Sequence, residues 1–134
     1  MFSLFDTSTG IIEGTTNSPR DNAGYGVVQG SYAAGVYYVK NGIRPLPPKP
    51  GSGVWDWDLA TESWIFNPGA TSYQARQTRN KLLSAVDRVN PIWYASLGVE
   101  RQVALQEYRQ ALLAVPQQPG FPERVTWPTK PPWL

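Results

Sequence analysis

The sequence predicts an α+β chain: a small antiparallel β module over residues 1–66, then a two-helix hairpin with an extended Pro-rich C-terminal tail over 67–134. Three observations carry this. Short β-branched or aromatic runs, each bounded by turn residues, fill the first half. After Asn67-Pro68-Gly69 the apolar residues recur at helical spacing. Six prolines from Pro116 onward then interrupt any further regular element.

The elements follow in order. Phe2 to Phe5 reads as a strand, Asp6-Thr7-Ser8-Thr9-Gly10 as a turn, and Ile11-Ile12 as the start of the return. An Asp side chain accepts nearby backbone N–H groups, and Gly tolerates positive φ. The Gly/Asn/Ser-rich run at 14–24, with Pro19, is expected to be a mobile or partner-ordered loop. Tyr25 to Gln29 and Tyr37 to Lys40 are strand-like. Asn41-Gly42 is a strong hairpin signal, because a type I′ turn needs positive φ at both central residues. Residues 45–50, Pro-Leu-Pro-Pro-Lys-Pro, are expected to form a stiff polyproline spacer.

Val54-Trp55-Asp56-Trp57-Asp58 alternates apolar and acidic residues, and Trp64-Ile65-Phe66 returns from a turn at 59–63. Phe5-Asp6-x-x-Thr9 and Trp57-Asp58-x-x-Thr61 echo one another, an Asp and a Thr three apart across a turn. Thr71 or Ser72 is expected to cap a helix over about 72–89, with Ala75, Leu82, Leu83, Val86 and Val89 inward and Asn90-Pro91 as its stop. Residues 91–98 are then a connector. A second helix over about 99–115 carries the stripe Leu105, Tyr108, Leu112 and Val115.

Composition removes whole classes of function. With no Cys and no His, a thiolate site, a Ser-His-Asp triad and the commonest general base are all absent. No metal site and no cofactor is expected, and the chain is not read as an enzyme. Asp56 and Asp58 share a strand face, and their placement reads as a solvated pair rather than an acid–base pair in a cleft. Residues 1–70 hold six acids and four bases, whereas 71–134 hold four acids and eight bases. That basic excess is too dilute for a nucleic-acid surface. No apolar run reaches the ~20 residues that span a bilayer, and the N-terminus lacks the pattern of a signal peptide.

Several residues admit two readings. Tyr108-Arg109 is either a partner-binding pair or a core Tyr with Arg covering it. Trp127-Pro128 is either a docking anchor or a clamp on the chain's own helices. Trp55, Trp57 and Trp64 are either an aromatic platform for sugars or the core of a small sheet.

Arg79-Asn80-x-Leu82-Leu83, Asp87, Tyr108-Arg109-x-x-Leu112, Gln117-Gln118-Pro119-Gly120-Phe121-Pro122 and Trp127-Pro128 together resemble the C-terminal region of tail and tail-fibre assembly chaperones of tailed bacteriophages. The resemblance covers roughly 72–132. It departs after Asp87, where many relatives have Trp and this chain has Arg88, with Trp93 further on. The first half is similar only loosely to the small β module that such phage proteins carry in front. The resemblance implies a non-catalytic protein that binds a phage tail-fibre or tail-tip/baseplate protein during assembly. It would act in the host cytoplasm, with the virion tail as the alternative location. Partner contacts are then expected at Tyr108, Arg109, Phe121, Trp127 and Pro128. The alternatives are a permanent minor component of the virion tail and a carbohydrate-binding module using Trp55, Trp57 and Trp64. The oligomeric state stays open.

Overall fold

Seven short strands precede three helices in the computed structural model, a mixed α+β arrangement that describes every residue except Pro19, Asp21 and Asn22. The chain divides into two units, residues 1–51 with 55–66, and residues 52–54 with 67–134.

In the first unit β1 (Phe2–Asp6) is central, flanked by β2 (Ile12–Thr16) and β3 (Tyr25–Gln29), both antiparallel to it. The Asp6 side chain builds the first turn by accepting from the backbone N–H of Ser8 at 2.7 Å and of Thr9 at 3.3 Å. These bonds, the Ser8 hydroxyl first among them, hold the Asp6 carboxyl below its ordinary range. Asp58 repeats the device, accepting from the Ala60 N–H at 3.3 Å and the Thr61 hydroxyl at 2.7 Å. The echo between the two segments is thus one local solution used twice.

Residues 14–16 are not loop. Thr15 and Thr16 extend β2 and face Ser3 and Phe2 across the ladder, as β-branched residues favour. Pro19, Asp21 and Asn22 of that expected loop lie outside the described residues. Ser3, fully buried, ties the far end of the sheet: its hydroxyl donates to Gly30 O at 2.8 Å and accepts from the Tyr32 N–H at 3.0 Å.

β4 (Tyr37–Val39) and β5 (Ile43–Pro45) form the Asn41-Gly42 hairpin, with φ of 52° and 111° at the two turn residues. β6 (Trp55–Asp58) and β7 (Ser63–Phe66) form the next, placing Trp57 opposite Trp64 and Trp55 opposite Phe66. The polyproline segment is not a spacer. Pro47 O accepts from Trp64 Nε1 at 2.8 Å, and the Lys49 ammonium stands 5.5 Å from the centre of the Trp64 ring. A carbonyl acceptor and a cation on an indole face hold residues 47–49 to β7, within the first unit.

In the second unit α1 (Pro68–Asp87) begins a full turn earlier than Thr71 or Ser72 would start it. Asn67 is the cap: its side chain accepts from the Ala70 N–H at 3.0 Å, and Pro68 takes the first helical position, where no N–H is needed. Thr71 is instead a buried fastener, donating to Asn67 O at 2.7 Å and accepting from the Val54 N–H at 3.0 Å. The expected connector holds a short helix, α2 (Pro91–Ser96), begun the same way, with Asn90 accepting from the N–H groups of Ile92 and Trp93 at 2.8 and 3.3 Å. α3 (Val99–Leu113) ends two residues before Val115, which opens a 3₁₀ turn containing Pro116.

Val86, Leu105, Tyr108 and Leu112 form the core of this unit, with Leu82, Leu83, Val89, Tyr94, Trp133 and Leu134 packed against it. The C-terminal residues are more turned than the extended tail expected. Turns occupy 119–123, and Gln118 holds the chain there by exchanging two hydrogen bonds with the Thr126 backbone at 2.7 and 2.9 Å.

Leu112 is fully buried. Leu112→Ala is therefore expected to destabilise the second unit by about 2–5 kcal/mol, read as a drop in the urea midpoint of its helical signal.

In the first unit the Tyr38 hydroxyl donates to Glu62 at 2.7 Å, with Lys40 and Arg44 at 3.6 and 3.3 Å from the same carboxylate. That hydrogen bond chiefly lowers the Glu62 carboxyl below its ordinary 4.5, and it raises the Tyr38 phenol above its ordinary 10.0. A lowered carboxyl stabilises above its ordinary value and loses that contribution as pH falls through the folded value. A raised phenol stabilises below its ordinary value and loses that contribution as pH rises through the folded value. Stability of the β unit should therefore fall at both extremes. Glu62→Ala should flatten both limbs in pH-dependent urea unfolding followed by Trp fluorescence.

Candidate partner-binding groove

Asn90 and Pro91 start α2 directly after α1, and two glutamines of α3 fasten it there. Gln102 Nε2 donates to the backbone O of Tyr94 at 3.1 Å and of Leu97 at 3.3 Å, while Gln106 Nε2 donates to the Tyr94 hydroxyl at 2.7 Å. Between the three helices lies an open groove of about 330 Å³. Val86 and Leu105 form its floor, with Val89, Pro91 and Tyr94 among its walls. At its rim Arg109 Nε donates to Asp87 Oδ1 at 2.8 Å. On the short helix beside it Ile92 is 82% exposed, and Val99 at the start of α3 is 75% exposed. A partner that covered either side chain would remove from water apolar area that the free chain leaves exposed.

The five residues expected to meet a partner do not form one site. Tyr108 belongs to the core at 6% exposure, so of its two readings the core one describes the folded chain. Arg109 lines the groove, paired to Asp87 rather than laid over Tyr108. Phe121 is half-buried, with the Arg76 guanidinium 5.7 Å from its ring centre. Trp127, 37% exposed, lines a separate cleft with Ala75 and Thr78 of α1. Pro128 lines a third depression, beside Ala104, Tyr108 and Ala111 of α3. Trp127 and Pro128 thus lie along the unit's own helices, as a clamp would.

The aromatic alternative is also used internally. Trp57 is buried at 6% and meets Tyr38 and Trp64 edge to face, with ring centres 4.9 and 5.2 Å apart. Trp55 meets Phe66 in the same way at 5.2 Å. These contacts make Trp57 a core residue of the β unit rather than an element of an open platform.

The matched segment decides which unit carries the recognisable part. Residues 72–132 match the family model of the phage tail assembly chaperone protein. All eight residues lining the groove, from Val86 to Arg109, fall inside the matched segment. The match covers under half of the chain and supports a role in tail assembly. No curated protein and no solved structure matches the chain.

Sequence reasoning missed α2 and its neighbourhood. Asn90-Pro91 reads as a stop, yet it has the Asn-Pro form that starts α1, and that shared pair was the available signal. Trp133 and Leu134 lie just beyond the matched segment and pack on the core. The Trp133 ring stands 6.3 Å from Trp93 of α2 and 5.4 Å from the Arg101 guanidinium of α3.

The Asp87–Arg109 pair is exposed on both sides, 51% and 43% by side chain. Arg109→Ala should cost at most ~1 kcal/mol of stability, measured by urea unfolding. A larger loss would mean that the pair, and not the apolar seam, holds α3 on α1.

Proposed function

We propose that this protein is a bacteriophage tail assembly chaperone that binds a tail-fibre or tail-tip protein and shields its apolar surface until assembly, without catalysis. The observation that carries the reading is the groove of Val86, Val89, Pro91, Tyr94 and Leu105, set within the segment that matches the chaperone family. An apolar floor with a charged rim suits an apolar side chain presented by a polypeptide: burial supplies the affinity, and the Asp87–Arg109 pair orients polar groups beside it. Ile92 and Val99 are further exposed apolar side chains of the same unit. Binding takes place in the host cytoplasm during assembly, and the chaperone leaves before the particle is complete.

The test is co-expression with the tail structural proteins of the same phage, followed by affinity capture. Ile92 is so exposed that Ile92→Asp should leave the helical signal and urea midpoint unchanged. It should weaken capture of a tail-fibre or tail-tip protein roughly tenfold or more, as loss of an interface anchor does. Failure of every tail protein to bind, or binding indifferent to Ile92→Asp and Val99→Asp together, overturns the proposal. Stoichiometric copies of the chain in purified particles would instead make it a virion component.

A further inference from the structure

Among the described residues no strand pairs with the outer edge of β3. Natural sheets protect such edges with charge, proline, bulges or covering segments, because a row of unpaired N–H and C=O groups templates pairing. Tyr25-Gly26-Val27-Val28-Gln29 carries no charged residue and no proline. Its register with β1 is unbroken over all five residues, whereas the β1–β2 ladder on the other side shifts between Leu4 and Phe5.

The ladder determines which groups point outward. The Thr7 N–H donates to Gly24 O at 3.1 Å, and the Gly30 N–H donates to Met1 O at 3.0 Å. Hydrogen-bonded and non-bonded pairs alternate along an antiparallel ladder. Gly26 and Val28, paired with Phe5 and Ser3, therefore bond inward to β1. Tyr25, Val27 and Gln29 direct both backbone groups away from it, and among the described residues no backbone bond reaches them. The edge is also stiffly backed. Gly26 is buried under the Phe5 ring, which a Cβ at that position would strike, and Ser3 anchors the strand's far end through Gly30 and Tyr32.

We propose that β3 is a docking edge at which an extended segment of the partner polypeptide adds as a further strand, with its backbone groups meeting those of Tyr25, Val27 and Gln29. The inference rests on the chaperone reading above for the identity of that partner, a tail protein. Only an extended backbone offers donors and acceptors at the two-residue spacing of this edge. The uncharged strand calls for uncharged residues opposite it, since an unpaired charge would be stranded against Val27 and Val28.

Val27→Pro tests the edge cleanly, because it deletes an outward N–H and leaves the bonds to β1 in place, the one setting in which a strand accepts proline. Binding of the phage's tail structural proteins is compared for wild type, Val27→Pro and Ile92→Asp, with Gln29→Pro as the substitute should Val27→Pro unfold. Loss of roughly tenfold or more in affinity for Val27→Pro, with an unchanged fold, supports strand addition. Amide exchange by NMR on the wild-type complex gives an independent reading: Tyr25, Val27 and Gln29 should slow, while Gly26 and Val28 stay as they were. Full binding by the proline variant, or no slowing at the three outward amides, overturns this inference and leaves the chaperone reading standing. Absence of binding by wild type overturns both. Self-association of wild type that Val27→Pro abolishes assigns the edge to a second copy and overturns the proposal.

Discussion

The second unit depends on the burial of Leu105, Tyr108 and Leu112 of α3 against Val86 of α1. Each fully buried large apolar side chain contributes about 1.5–3 kcal/mol, several times what an exposed ion pair supplies. Neither helix has a strongly one-sided sequence. α1 buries only Thr71 and Val86, and α3 buries three residues of fifteen. Two helices this polar hold their form through each other and through what closes over the seam. Trp133, Leu134 and Tyr94 complete that closure.

The groove follows from the same seam. The core fills the space between α1 and α3, and α2 leans on α3 through Gln102 and Gln106. Where α2 stands off from Val86 and Leu105, apolar surface remains open. Tyr94 packs on the core and Trp93 meets Trp133, with the glutamine bonds beside them, while Ile92 on the same short helix faces outward.

The first unit solves a different problem with little sheet. Seven short strands make one three-stranded sheet and two hairpins, too little pairing to form a broad core. Indole rings compensate: Trp57 packs between Tyr38 and Trp64, and the Pro-rich segment closes over Trp64 through one carbonyl and one lysine. The Trp57 Nε1–H is buried with no partner among the described residues, a polar cost accepted for the packing of its ring.

Local chemistry was legible in the residues themselves. The Asp6 and Asp58 turns, the Asn41-Gly42 hairpin, the strand at 25–29, the stripe Leu105, Tyr108, Leu112 and Val115, and the kinship of residues 72–132 needed only neighbours in the chain or a motif of known spacing. The two Asn-Pro pairs were misread because proline ends one helix and begins the next with equal ease; whether the preceding Asn finds N–H groups to accept decides between them. Tertiary contact alone placed β1 between β2 and β3, folded Pro47 and Lys49 onto Trp64, buried Tyr108 while exposing Ile92, and left the outer edge of β3 without a partner strand among the described residues. Each is a choice between partners far apart in sequence. Side-chain type states what a residue needs, but only the packed chain states which need is met inside and which is left to be met by something else.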